Sequence, residues 1–325
     1  MPRTSVIQAI SDALHLKMAD DETVVVLGED VGVDGGVFRA TLGLIEKFGE
    51  QRVMDMPLAE SAIVGMAVGM AINGLKPVVE IQFLGFINEA LDQIVAHVAR
   101  YRHRSRGRYP ISMVIRAPYG AGVKALEHHS ESTEAIFAQL PGLKVVIPSN
   151  AQDAKGLLIS AIEDPDPVIF LEPKRLYRFQ KQEISAEIYR TPIGQAAVAR
   201  EGTDISIVTY GGMVPVCLNA AEHVQAEGVS AEVVDLQTIS PFDIKTITQS
   251  VEKTGRLVIV HEAPRSFGVG AEIAAQVGER SLLHLLAPIQ RVTGYDIIPP
   301  LSRLEDFNYP TSERVVRAIH QTMEF

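Results

Sequence analysis

Apolar residues fall along this chain in two series of short runs, each run followed by a stretch of amphipathic spacing. In the first series, residues 23–28, 76–81, 112–116, 144–148 and 167–171 are rich in β-branched side chains and bounded by Gly or Pro. They lack strict polar alternation, the pattern of strands covered on both faces. Helical spacing fills the intervals at 61–73, 86–100, 132–139 and 151–163. A second series begins near Gly202, with strands at 204–210, 230–236, 256–261 and 288–292. Its helices fall at 215–227, 243–254 and 270–283, and a last helix at 312–323. Strand–helix–strand alternation predicts parallel sheets with helices on both faces. The polar stretch 177–200, which contains Pro192, separates the two series. The expected architecture is α/β, with two doubly wound domains in tandem over 1–185 and 200–325. No shared period makes them a repeat array.

Composition narrows the function classes. A chain of 325 residues suits two domains, and 46% apolar with 22% charged residues is a globular balance. The longest apolar candidate for a membrane span, 62–75, is punctuated by Gly and ends at Lys76-Pro77. Asp12, Asp20, Asp21 and Glu22 argue against a transit segment. The single cysteine, Cys217, fits a reducing compartment. A net charge of −10 argues against nucleic acid as a partner. The expectation is a cytoplasmic protein without membrane or nucleic-acid partners.

Ligands of open α/β sheets bind at the carboxyl ends of the strands, and several polar motifs fall there. Glu29 and Asp30 follow the first strand in a Gly-rich acidic loop, which reads equally as a surface turn. No G-x-G-x-x-G occurs, which disfavours a Rossmann oxidoreductase. Pro57 and Glu60 open the helix over 61–73, where an acid complements the helix dipole. That helix is apolar nearly all round and is expected to be buried, which would raise the pKa of a carboxyl at its start. Gln82 and Phe86 could contact a flat heterocycle or belong to an apolar turn. His128, His129 and Ser130 could serve a site or only cap a helix. The run Arg100, Arg102, Arg104, Arg106 and Arg108 is expected to pair with acids or complement a helix end.

Taken in order, LGEDVGVDGGVFRAT (27–41), RVMDMPLAESAIVG (52–65), PVVEIQF (77–83), EHHSES (127–132), PGLKVVIPS (141–149), DPVIFLEPKRLYR (166–178) and EVVDLQTISPFD (232–243) carry a resemblance. The chain is similar to the β subunits of thiamin-diphosphate-dependent 2-oxo acid dehydrogenases, the decarboxylating component of the pyruvate and branched-chain complexes. The part from about Pro299 is the least family-like. The resemblance implies a thiamin-diphosphate pyrimidine-binding N-terminal domain and a transketolase-C-like C-terminal domain. It implies an α subunit in a heterotetramer of two α and two β chains, and a lipoyl-bearing acyltransferase as acceptor. The α subunit would hold the diphosphate and Mg²⁺ through a Gly-Asp-Gly motif that this chain lacks.

By the same resemblance, Glu60 would hydrogen-bond the pyrimidine ring nitrogen and favour its imino tautomer. Glu29, Leu58, Gln82 and Phe86 would surround the pyrimidine. His129 would guide the 2-oxo acid or the acyl transfer to lipoamide. Met113, Ala161, Ile162, Asp164 and Asp166 match a structural potassium site, with Asp166 replacing an Asn common in relatives. Pyruvate, a branched-chain 2-oxo acid and acetoin remain open as substrates, and a non-catalytic scaffolding subunit is the reading from another class.

Overall fold

The computed structural model describes residues 3–325. The first series supplies strands β1 (Arg3–Thr4), β2 (Val24–Gly28), β3 (Val53–Asp55), β4 (Lys76–Glu80), β5 (Val114–Tyr119), β6 (Lys144–Val146), β7 (Val168–Pro173) and β8 (Gln182–Glu183). The second supplies β9 (Ala197–Arg200), β10 (Ile205–Thr209), β11 (Ala231–Asp235), β12 (Thr238–Ser240), β13 (Leu257–Pro264) and β14 (Gln290–Gly294). The larger sheet has the order β12-β6-β7-β5-β4-β2-β3 and is parallel except for β12, which runs antiparallel to β6. The smaller sheet has the order β14-β13-β10-β11-β9, with β9 antiparallel to β11. β1 and β8 form a separate antiparallel pair.

Helices cover both faces of each sheet, as alternating β and α elements require. Helices Val6–Asp20 and Ala151–Glu163 pack on each other over one face of the larger sheet. The opposite face, with Leu27, Val79, Ile115 and Ile169, meets helix Glu60–Ile72. That core continues without a break into Val208, Val234, Ile247 and Ile273 of the second series. The two domains therefore share a core, and β12 extends a sheet built by the first series.

Helix Val6–Asp20 was not anticipated, although Ser5 and Gln8 form a reciprocal capping box at its start. The helix expected at 86–100 is broken into a 3₁₀ segment Leu84–Ala90, one α turn Leu91–Gln93 and a π segment Ile94–Val98. The cause lies in the spacing of the apolar side chains. Leu84, Ile87 and Ala90 are the buried positions, and a repeat of three residues per turn aligns them on one edge. Helix Glu60–Ile72 is not buried all round. It buries Ile63, Val64, Ala67, Val68 and Ala71, while Ala62, Met66 and Gly69 remain exposed. The arginine run ends this region as expected: Arg102 pairs with Asp166, and Arg104 Nη2 donates to the Ala96 carbonyl at 2.9 Å.

Candidate active site

β2, β3 and β4 end side by side, and the chain order reverses across them: β2 leads outward to edge strand β3, then β4 returns to the other side of β2. Such a switch opens a crevice above the carboxyl ends of the strands. Glu29 leaves β2 into this crevice, Glu60 follows β3, and Gln82 follows β4. Three acid or amide side chains far apart in sequence thus follow neighbouring strand ends because the sheet order brings those strands together.

Glu29 is 5% exposed, and its Oε1 has no hydrogen-bond partner among the described residues. Burial, then the charges of Glu60 and Asp30, push its carboxyl up to about 7. Asp30 adopts a left-handed backbone, φ 57°, and accepts a hydrogen bond from Gln82 Nε2 at 2.9 Å. Glu60 is buried at the first turn of its helix. It lines a cavity of about 410 Å³ with Leu58, Ala59, Ser61, Phe86 and Glu89. Leu58 is 80% exposed at the rim of this cavity, an uncommon position for so large an apolar side chain.

A second group adjoins the first through aromatic rings. Phe83 packs edge-on to His129 at 4.2 Å between centroids and to Phe86 at 5.9 Å. His129 also meets Phe86 at 5.5 Å and His128 at 4.4 Å. Glu127–His129 is one 3₁₀ turn, so the pair of histidines turns toward the Phe83–Phe86 cluster instead of capping a helix. Gly85 permits this approach: a Cβ there would lie 2.2 Å from the His128 carbonyl oxygen. Burial, then the neighbouring His128 and Lys174, lower the His129 pKa. Its Nδ1 is buried and has no hydrogen-bond partner among the described residues.

Lys174 was not singled out in the sequence. Its ammonium lies 5.7 Å from the centre of the Phe83 ring, and the residue is 6% exposed. Burial lowers its pKa to about 8 against the opposing pull of Glu262 and Glu305. A basic residue two positions after a strand's buried Glu172 was the only sequence signal. Beneath the crevice, Arg116 donates to Glu172 from Nε at 2.7 Å and from Nη2 at 2.8 Å, and to Glu80 from Nη1. Tyr177 donates to Glu172 at 2.5 Å. This buried charge network supports the ends of β4, β5 and β7 and had no sequence signature.

The five residues matched to a potassium site also come together, away from the crevice. Asp164 caps the end of helix Ala151–Glu163, Met113 accepts from Val168 at 3.0 Å, and Asp164 O accepts from Ser112 Oγ at 2.6 Å. Ala161 O accepts from Asp164 N at 3.3 Å, and Ile162 lies buried in the same turn. Lys144 Nζ bonds both Asp164 oxygens at 2.7 Å and lies 3.4 Å from Asp166, which also pairs with Arg102. Among the described residues, no cluster of three His, Cys, Asp or Glu side chains could hold a metal ion. Among them, too, no helix is long and apolar enough to cross a membrane.

The family described as "Transketolase, pyrimidine binding domain" matches residues 3–180, and "Transketolase, C-terminal domain" matches 194–315. The pyruvate dehydrogenase E1 component subunit beta of Acholeplasma laidlawii is 53% identical over 317 residues, covering 98% of this chain and 97% of that protein. The protein of the same name from Bacillus subtilis (strain 168) is 51% identical over 325 residues, with both chains covered in full. A solved structure titled "Split gene transketolase, inactive beta4 tetramer" superposes with a TM-score of 0.81 at 23% identity, covering 99% of each chain. That last likeness concerns the fold.

Proposed function

The chain belongs to the thiamin-diphosphate-dependent 2-oxo acid dehydrogenase β subunits of the pyruvate dehydrogenase E1 type, and we propose that pyruvate is its substrate. One observation carries the proposal for the site. Glu60 lines a cavity with Leu58 and Phe86, and its charge reaches the raised carboxyl of Glu29, whose Oε1 has no hydrogen-bond partner among the described residues. A buried acceptor–donor oxygen of that kind fits a nitrogen heterocycle, so the residues present suit an aminopyrimidine. When bound, thiamin diphosphate would supply a ring carbon that is nucleophilic once deprotonated and an electron sink for decarboxylation.

The chain's own residues have four tasks in this reading. Glu60 shares a proton with the pyrimidine ring nitrogen, and a dry surrounding strengthens that hydrogen bond. Glu29, whose carboxyl is raised to about 7, holds its proton to higher pH than an exposed acid and donates or accepts at its free Oε1. Phe86 and Leu58 exclude water and face the ring, while the Gln82–Asp30 hydrogen bond orients the floor. His129, kept neutral by its lowered pKa, gives or takes a proton as the acyl group passes to lipoamide.

Several features reach beyond the chain. An α subunit holds the diphosphate and Mg²⁺ in an α₂β₂ assembly, and it covers Leu58 and the exposed face of helix Glu60–Ile72. A lipoyl-bearing acyltransferase receives the acyl group, and the assembly works in the cytoplasm. Met113, Ala161, Ile162, Asp164 and Asp166 hold a potassium ion through backbone carbonyl oxygens, since the two carboxylates already face Lys144 and Arg102. Acetoin cleavage and a scaffolding role are less favoured, because relatives at half identity over the full length bear the pyruvate dehydrogenase name. The test is Glu60→Gln in the chain assembled with its α partner. Pyruvate-dependent reduction of an artificial electron acceptor should fall at least a hundredfold with assembly intact, given the size of positioned proton-transfer effects. Retained activity would sink the assignment, and faster turnover of 2-oxoisovalerate or acetoin than of pyruvate would sink the substrate.

A further inference from the structure

The loop that carries His129 leaves β5 at Gly120 and ends at Glu131, with one 3₁₀ turn as its only regular element. Both its ends are gripped by side chains of the second domain. Glu262, at the end of β13, accepts from Ala121 N at 3.1 Å. Glu305 accepts from Gly122 N at 3.0 Å with Oε1 and from Ser130 Oγ at 2.8 Å with Oε2. Tyr309 donates to the Ser130 carbonyl at 2.8 Å. Glu305 is 1% exposed, so its two bonds are shielded from bulk water and are not surface contacts. Glu305 and Tyr309 lie after Pro299, within the span that the transketolase C-terminal domain family matches.

We propose that Glu305 is a positioning residue for the reaction: its two carboxylate oxygens clamp Gly122 and Ser130, and so hold His129 against Phe83 and Phe86. The second domain then does more than build interfaces, since it sets the geometry of a side chain in the first. The clamp acts from one side, while close packing of Gly85 on the His128 carbonyl limits the loop on the other. A single carboxylate bonded at both ends of a loop removes freedom that neither bond would remove alone. The inference rests on the role given to His129, and the experiment separates the two.

The experiment uses the chain assembled with its α partner, a lipoyl domain as acceptor, and the variants Glu305→Ala, Glu305→Gln and His129→Ala, singly and combined. Glu305→Ala should slow lipoyl acylation by roughly tenfold to a hundredfold, as misplacement of a reacting group does. The artificial-acceptor rate should stay within about threefold, and backbone amide exchange across 120–131 should speed up by about tenfold or more. Glu305→Gln should recover most of the loss, and adding Glu305→Ala to His129→Ala should cause no further loss. If Glu305→Ala fails to assemble, Ser130→Ala removes one of the two bonds and should show a smaller loss in the same assay. Equal loss in both assays, a full further loss on the His129→Ala background, or unchanged loop exchange would each overturn the clamp. Should His129→Ala leave lipoyl acylation unchanged, the role of His129 falls and the exchange result alone decides the clamp.

Discussion

Glu29 lies buried beside Glu60, and the Glu60 charge adds to burial in pushing the Glu29 carboxyl up to about 7. The Glu29 carboxyl therefore exchanges its proton in the neutral range, within the electrostatic reach of Glu60. A carboxyl raised by burial and a neighbouring acid is a recurring feature of proton-handling sites.

The raised carboxyl makes the stability of the isolated chain depend on pH. Glu29 binds its proton more tightly when folded, so its contribution is fully present below about 4.5 and is lost as pH rises through about 7. Glu29→Gln, which cannot ionise, should melt higher than the native chain at pH 8.5 by roughly 2–4 °C. At pH 4.5 the advantage should vanish. Equal differences at both pH values in thermal melts followed by circular dichroism would refute the coupling.

Lys174 gives the mirror-image case. Its folded pKa of about 8 lies below the usual 10.5, so its buried charge weakens the fold below pH 8 and that cost fades toward pH 10.5. Lys174→Met should raise the melting temperature at pH 7, with a gain that shrinks as pH approaches 10. The same variant removes one of the charges that lower the His129 pKa, so the His129 ring should titrate at higher pH in a histidine NMR experiment. A lower His129 pKa in the variant would contradict the electrostatic account.

Gly85 separates the aromatic cluster from the His128 backbone. In Gly85→Ala the new Cβ would meet the His128 carbonyl at 2.2 Å, and the loop must move. Lipoyl acylation should fall by roughly tenfold or more, whereas the melting temperature should drop by only a few degrees. Native kinetics in this variant would mean that His129 tolerates displacement.

The Arg116–Glu172 pair is buried on both sides, with Tyr177 as a third member. Glu172→Ala leaves Arg116 with one acid, Glu80, and should destabilise the chain by about 3–5 kcal/mol in urea unfolding. Tyr177→Phe removes one hydrogen bond to the same carboxylate and should cost about 1–2 kcal/mol. A smaller effect of Glu172→Ala than of Tyr177→Phe would show that the network is not organised around Glu172.

Leu58 tests the covered face. Leu58→Asp changes a side chain that is 80% exposed, so the isolated chain should keep its melting temperature within about 1 °C. Co-purification with the α partner should fail or weaken by at least tenfold, because a carboxylate would be buried against that chain. Undiminished assembly would place the α surface elsewhere.

The sequence alone determined the alternation of strands and helices, because buried parallel strands must be apolar throughout and each helix must carry an apolar stripe. It also carried Glu60, Glu29, Gln82, Phe86 and His129 as candidates, chiefly through ordered motifs. Helix Val6–Asp20 is equally legible in the sequence, from its capping box and apolar spacing. Only the tertiary structure decided that Glu29 is raised, since that depends on burial and on a neighbour 31 positions away. It alone decided that the helix after Glu60 leaves one face open, that Phe83 and Lys174 flank His129, and that Glu305 reaches the loop from the far end of the chain. Periodicity records which side of an element is apolar. It carries no record of which distant element will come to lie against that side, because sheet order and the joining of the two cores fix those neighbours only in three dimensions.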